Sequence, residues 1–197
     1  MARRVKWNGQ SKEARTASIR AVLALLWIAL WIGLGSAAGV TAARSQSPEA
    51  QQNLDRDIRR MSDCYHPLNH GCVVDFLDPE FVVLGGGHDE VVKAIISAVN
   101  EMSQHDFNIR LEQTQFDKPG VITPFGGVLI AKMTTYLPAI VRGQAGTVQG
   151  TILAVSRDGG KSWRFVEATR ATRPDLEARF SGVWERLAIP NSRFVPQ

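Results

Sequence analysis

Ser156-Arg157-Asp158-Gly159-Gly160-Lys161-Ser162-Trp163 decides how the rest of the chain is read. Upstream of it, Thr147 to Val155 is rich in β-branched residues. Downstream, Trp163 and Phe165 resume an alternating pattern. Between them, Asp158-Gly159-Gly160 supplies residues that tolerate positive φ, as a reversal between antiparallel strands requires. The stretch therefore predicts a β-hairpin from Thr147 to Ala168 and places an antiparallel sheet in the second half of the chain.

Working back from the hairpin, the alternation continues. Phe107, Ile109 and Leu111 are set against Asn108, Arg110 and Glu112, which predicts a strand. Lys118-Pro119-Gly120 reads as a turn, Val121 to Thr123 as a short strand, Gly127 to Leu137 as a longer one, and Ala139 to Gly146 as the next reversal. Before residue 105 the period is helical. Ser47-Pro48-Glu49 has the composition of a helix start, and Leu54, Ile58, Met61 and Tyr65 follow at helical spacing. Asp55, Asp57, Arg59 and Arg60 are assigned to the opposite, solvated face. A short helix from Cys72 to Leu77 is expected to stop at Asp78-Pro79, and a third helix to run from about His88 to Ser103 behind Gly85-Gly86-Gly87. After the hairpin, Leu176, Phe180, Val183 and Leu187 suggest a last amphipathic helix. Helices first and an antiparallel meander second is an α+β domain.

The N-terminal segment has a different character. Six basic residues up to Arg20 precede the apolar run Ala21 to Leu34 and a small-residue exit, Ser36 to Ala43. This is the pattern of an export leader. Residues 21–40 are also long enough to cross a bilayer, so an uncleaved single-pass anchor with a cytoplasmic N-terminus is the alternative. The expected organisation is a leader or anchor at 1–43, one domain at 44–190, and a tail at 191–197, with a periplasmic or extracellular location. The leader also carries the positive charge. Taking its six basic residues and Glu13 from the totals of 23 and 19 leaves 17 basic against 18 acidic. The overall charge of +4 is thus no argument for a nucleic-acid partner, and none is expected. A membrane contact is expected only through residues 21–40, if they are retained.

The order of elements resembles the nuclear transport factor 2-like fold, the superfamily of the SnoaL-like and ketosteroid-isomerase-like proteins. In that fold a curved antiparallel sheet wraps around N-terminal helices to form a cone with a pocket. Three stretches are similar to a group of small exported bacterial proteins of that fold: Asp78-Pro79 followed by Gly86-Gly87 and a helix, Met133-Thr134-Thr135 in a long strand, and Ile152 to Val166. The resemblance covers about residues 50 to 190. It implies a cone, a pocket, and no established activity. Two features depart from the group: Asp78 stands where Tyr or His often precedes the proline, and the connection from Cys64 to Cys72 has no counterpart.

Several constellations have a chemical reading beside a structural one. Ser156-x-Asp158-x-Gly160-x-x-Trp163 matches the Asp-box of sialidase propellers, but a propeller needs several blades and one copy is present. Cys64, His66, His70 and Cys72 could in principle ligate zinc; their spacing and an oxidising compartment favour a disulfide or unpaired thiols, and no metal site is expected. Gly85-Gly86-Gly87 lacks the Lys-Ser or Lys-Thr of a phosphate loop. In isomerase-like members of the fold an acid or His shuttles a proton and a Tyr stabilises an oxyanion. The corresponding raw material here is Asp78 or His66 as base and Tyr65 or Tyr136 as donor. The leading expectation is an exported module whose pocket binds a small apolar or amphipathic molecule, or whose sheet face forms a homodimer, without catalysis or cofactor. A cofactor-free isomerase, cyclase or lyase is the alternative, and a membrane-tethered interaction domain the third.

Overall fold

The computed structural model describes residues 47–197; the expectations for the leader, the anchor and residues 21–40 lie outside them. Four helices come first: α1 (Pro48–Asp63), α2 (His70–Asp75), α3 (Pro79–Leu84) and α4 (His88–Gln104). The sheet strands β1 (Phe107–Ile109), β2 (Gln115–Phe116), β3 (Thr123–Phe125), β4 (Val128–Val141), β5 (Gln144–Ser156) and β6 (Arg164–Glu167) follow, with one 3₁₀ turn at Leu111–Gln113. Two short helices, α5 (Arg173–Arg179) and α6 (Val183–Arg186), precede β7 (Arg193–Pro196). This is the α+β order expected, with helices followed by a strongly curled antiparallel sheet.

The sheet is built on one long hairpin. β4 and β5 pair from Leu129↔Ser156 to Val141↔Gln144. Short strands line both edges: β3, β2 and β1 follow one another along β4, while β6 and β7 share the free edge of β5. Four boundaries differ from expectation. The first strand ends at Ile109, and Leu111 and Glu112 lie in the 3₁₀ turn. The reversal is confined to Arg142 and Gly143, both at positive φ, so β4 runs on through Pro138. The carbonyl of Pro138 accepts from Arg110 N, which shows that its missing N–H points away from β5 and costs the hairpin no hydrogen bond. The third strand begins at Thr123 and not at Val121. Residues 191–197, expected as a tail, contain β7, whose Phe194 packs where Gly146 has no side chain: a Cβ there would lie 2.5 Å from the Phe194 ring.

Register assigns the two faces of the hairpin to different cores. Ala131, Met133, Ile152 and Ala154 share one face with Phe165 and Trp163 and pack against Ala50, Leu54 and Met61 of α1. Ile130, Leu153, Val155 and Val166 share the other and pack against Leu176, Phe180, Val183 and Trp184 of α5 and α6. One end of the sheet is thus sandwiched between helices, and its pattern is accordingly apolar on both faces.

The α1 stripe differs from the one expected in one residue. Asp57, placed by pattern on the solvated face, is 2% exposed. Its carboxylate accepts from the backbone N–H of Trp163 at 3.0 Å and from Arg56 Nε at 2.8 Å. Asn53 Nδ2 donates to Gly160 O and Arg56 Nη2 to Lys161 O, so one turn and a half of α1 grips the loop between β5 and β6. The loop spans residues 157–163 and is wider than a two-residue reversal; Gly159 and Gly160 have φ of 76° and 95°. Gly160 lies directly under α1, where a Cβ would meet the Ala50 Cβ at 2.5 Å, whereas Gly159 faces open space.

These two glycines make a differential prediction for urea unfolding. G159A should cost about 1–2 kcal/mol for the left-handed backbone alone. G160A should cost the same and a further about 1–3 kcal/mol for forcing α1 off the loop. D57A strands the Trp163 N–H in the interior and should cost about 1–3 kcal/mol, with D57N, which keeps an acceptor, in between. Equal effects of G159A and G160A would contradict the packing described.

Candidate ligand-binding cleft

The residues singled out by sequence lie at separate places. Asp78 is fully buried, and its environment is structural. It caps α3 by accepting from Glu80 N at 3.0 Å, and Arg157 Nη2 reaches both carboxylate oxygens at 3.2 and 3.0 Å. Its own N–H donates to Phe165 O, and Phe165 N to Phe76 O, which ties this corner to β6. Asp78-Pro79, expected to end a helix, therefore begins one. Arg157 also pairs with Glu80, which in turn holds Arg179, so the carboxylate belongs to a four-residue charge network. Fully buried and clamped in this way, the carboxylate is not presented to a ligand.

His66 is exposed and precedes a cis peptide bond to Pro67. Tyr136 donates its hydroxyl to Asp117 Oδ2 at 3.0 Å, and that bond raises its pKa. Tyr65 packs edge-on against Phe116, with ring centroids 5.6 Å apart. Since Phe116 pairs with Thr135 and successive β4 residues alternate, Tyr65 and Tyr136 stand on opposite faces of the sheet. Cys64 and Cys72 are joined in a disulfide, which leaves neither thiolate to ligate a metal and closes the loop that carries Tyr65 and His66. Among the described residues no group of three or more potential metal ligands converges, and no helix is long and apolar enough to cross a membrane.

What the topology does create is a cleft. β6 pairs with β5 at residues 152–155 and β7 at residues 146–149, so the edge of β5 is split around Gly150. A cavity of about 550 Å³ opens there. Its floor is one sheet face: Thr135 opposite Gly150, and Leu137 opposite Val148. Gly150 keeps that floor low, because a Cβ would lie 2.8 Å from Thr135 Oγ1. The walls come from the end of β6 and the chain after it, with Glu167, Thr169, Arg170 and Ala171, and from the approach to β7, with Asn191 and Ser192. Arg170 Nε donates to Asn191 Oδ1 at 3.2 Å and links the two walls. Thr172 Oγ1 donates to Glu167 O and accepts from Thr169 N, which fixes the path of the first. A smaller hollow of about 160 Å³ lies between α2, α4 and β1 and is too small for most ligands.

The cleft also has an unusual electrostatic pair beside it. Burial, with the charge of Glu167 adding to it, pushes the Tyr65 phenol up to about 12. Burial likewise raises the Glu167 carboxyl, although an exposed edge keeps that side chain in contact with solvent, so it is a half-covered acid and not an interior one. Neither Glu167 nor Arg170 stood out in the sequence. The one available signal was Glu167 closing the Arg164-Phe165-Val166-Glu167 alternation on the face where Phe165 is core.

The opening loop is built around Asp158. Its carboxylate accepts from Ser156 Oγ, Lys161 N, Ser162 N and Ser162 Oγ at 2.6–3.0 Å. Partial burial would raise its pKa, but these hydrogen bonds outweigh that and hold it at about 2. With its oxygens engaged internally, the motif works as a loop brace. Comparison with protein-family models, with curated proteins and with solved structures gives no match.

A pKa below the ordinary aspartate value means that the folded state gains from ionisation. That gain is complete above about 4 and is lost as the pH falls toward 2. The stability difference between the wild type and D158N, measured by urea unfolding, should therefore be constant from pH 7 to 5 and shrink between pH 4 and 2. A difference independent of pH would show that the brace is not ionic.

Proposed function

We propose that this chain is an exported, non-catalytic binding domain of the nuclear transport factor 2-like cone type, whose small ligand occupies the cleft at the split edge of β5. The cleft carries this proposal: its volume of about 550 Å³ lies in the range of small-molecule sites, with Leu137 and Val148 on its floor and polar side chains on its walls. The disulfide is consistent with an oxidising compartment beyond the membrane, as the leader suggests. Non-catalytic binding is favoured because Asp78 is committed to Arg157 and Tyr136 to Asp117, and neither residue lines the cleft. A second reading, a cofactor-free isomerase or lyase, is supported by one observation, the raised Glu167 carboxyl within electrostatic reach of Tyr65. In it the base would be Glu167 and the oxyanion donor Tyr65, with Asp78, His66 and Tyr136 playing no part.

Native mass spectrometry of the protein isolated from its own host tests the proposal. The wild type should carry a small-molecule adduct. G150V, which raises the floor, and S192W, which blocks the rim without entering the core, should both lose it while keeping the far-ultraviolet circular dichroism of the wild type. An adduct retained by S192W would place the ligand elsewhere. Exchange of ligand C–H protons in deuterated buffer, abolished by E167Q, would favour the enzyme reading over simple binding.

A further inference from the structure

Glu167 and Arg170 line one wall of the cleft three residues apart, yet they do not pair. Among the described residues neither takes part in an ion pair, and the side-chain bond of Arg170 uses Nε only, which leaves both Nη groups without a protein acceptor. The Glu167 carboxylate accepts no hydrogen bond; it is the backbone carbonyl of that residue that holds Thr172. Three other arginines are held differently. Arg56 is spent on Asp57, Arg157 on Asp78 and Glu80, and Arg179 on Glu80. The cleft presents a charge of each sign, neither of them in an ion pair, over a floor that includes Leu137 and Val148.

We infer that the cleft takes a small zwitterion, its carboxylate on Arg170, its ammonium on Glu167, and its apolar body against Leu137 and Val148. This rests on the cleft being the ligand site. The argument is one of signs. A ligand with a carboxylate alone would gain Arg170 but meet the like charge of Glu167, and an amine alone would gain Glu167 but meet Arg170. Only a molecule with both charges meets two attractions. The two unused Nη groups offer the forked geometry that binds a carboxylate through two parallel hydrogen bonds. A half-covered carboxyl whose ionised form is disfavoured gains most from a cation delivered into the cleft. The hydroxyls of Thr135 and Ser192 remain to satisfy the outer oxygens or protons of either group.

Isothermal titration at pH 7 and low salt with leucine and 6-aminohexanoate, which separate the two charges by different distances, and with hexanoate, hexylamine and hexanol as controls, tests the inference. One of the two zwitterions should bind at least tenfold more tightly than either singly charged control. R170Q should weaken that zwitterion at least tenfold and strengthen hexylamine; E167Q should weaken it and strengthen hexanoate. This crossed pattern would not follow if either residue merely held the wall in place. Hexanoate or hexylamine binding as well as the zwitterions, or charge variants without effect, overturns the inference. Binding of hexanol alone, abolished by S192W, overturns it too but leaves the cleft as the ligand site. If none of the five binds and the protein from its host carries no adduct, the inference and the proposed function fall together.

Discussion

The buried carboxylate of Asp57 is the point from which the architecture of this domain is organised. It joins the first helix to the loop between β5 and β6 by accepting the Trp163 N–H, and it is only 2% exposed. An ionised group so placed is tolerated only when its oxygens are engaged, and Arg56 and the Trp163 backbone engage both. The same contact sets the height of α1 over the sheet, because Gly160 allows the helix backbone at Ala50 to approach where any side chain would intervene. With α1 seated, Leu54 and Met61 cover Met133 and Ile152, and Trp163 is enclosed completely. The indole N–H of Trp163 is the one buried side-chain polar atom among the described residues with no hydrogen-bond partner, a sign that packing and not polarity chose that residue.

A second buried charge secures the other end of the loop. Asp78 starts α3, and Arg157, the residue next to the Asp158 brace, closes on it. The loop between β5 and β6 is therefore held three times: within itself by Asp158, to α1 through Asp57, and to α3 through Arg157. Two of the side chains that sequence would offer to catalysis are engaged elsewhere, Asp78 by Arg157 and Tyr136 by Asp117. Glu167 and Arg170 lie where the scaffold opens, and neither is in an ion pair.

The opening itself follows from how the edge of β5 is shared. Two short strands cannot cover thirteen residues without a gap, and the chain leaves β6 to make α5 and α6 before returning as β7. The gap falls at Gly150, the residue whose lack of a side chain makes it deepest. Packing on the opposite face, through Val166, Leu176 and Trp184, holds the walls in place. A rigid floor with walls drawn from two loops is a common way to build a site of adjustable specificity.

What the sequence by itself determined is everything that depends on neighbours a few residues away. The helical stripe of α1, the helix after the three glycines, the long strands β4 and β5, and the turn chemistry of Asp158-Gly159-Gly160 were all legible, and so was an α+β order, because periodicity, β-branched composition and positive φ are local properties. The pairing of Cys64 with Cys72 was readable as one option among several. What only the tertiary structure decided is the fate of the polar groups. Asp57 reads as solvated until Trp163, 106 residues away, is brought to it, and Asp78 reads as an acid on offer until Arg157, 79 residues away, claims it. The Pro138 strand, β7 and the cleft belong to the same class: each depends on which edge of the hairpin faces which partner. Burial and pairing of a charge are set by partners distant in the chain, whereas secondary structure is set mainly by near ones, and that difference separates what was legible here from what was not.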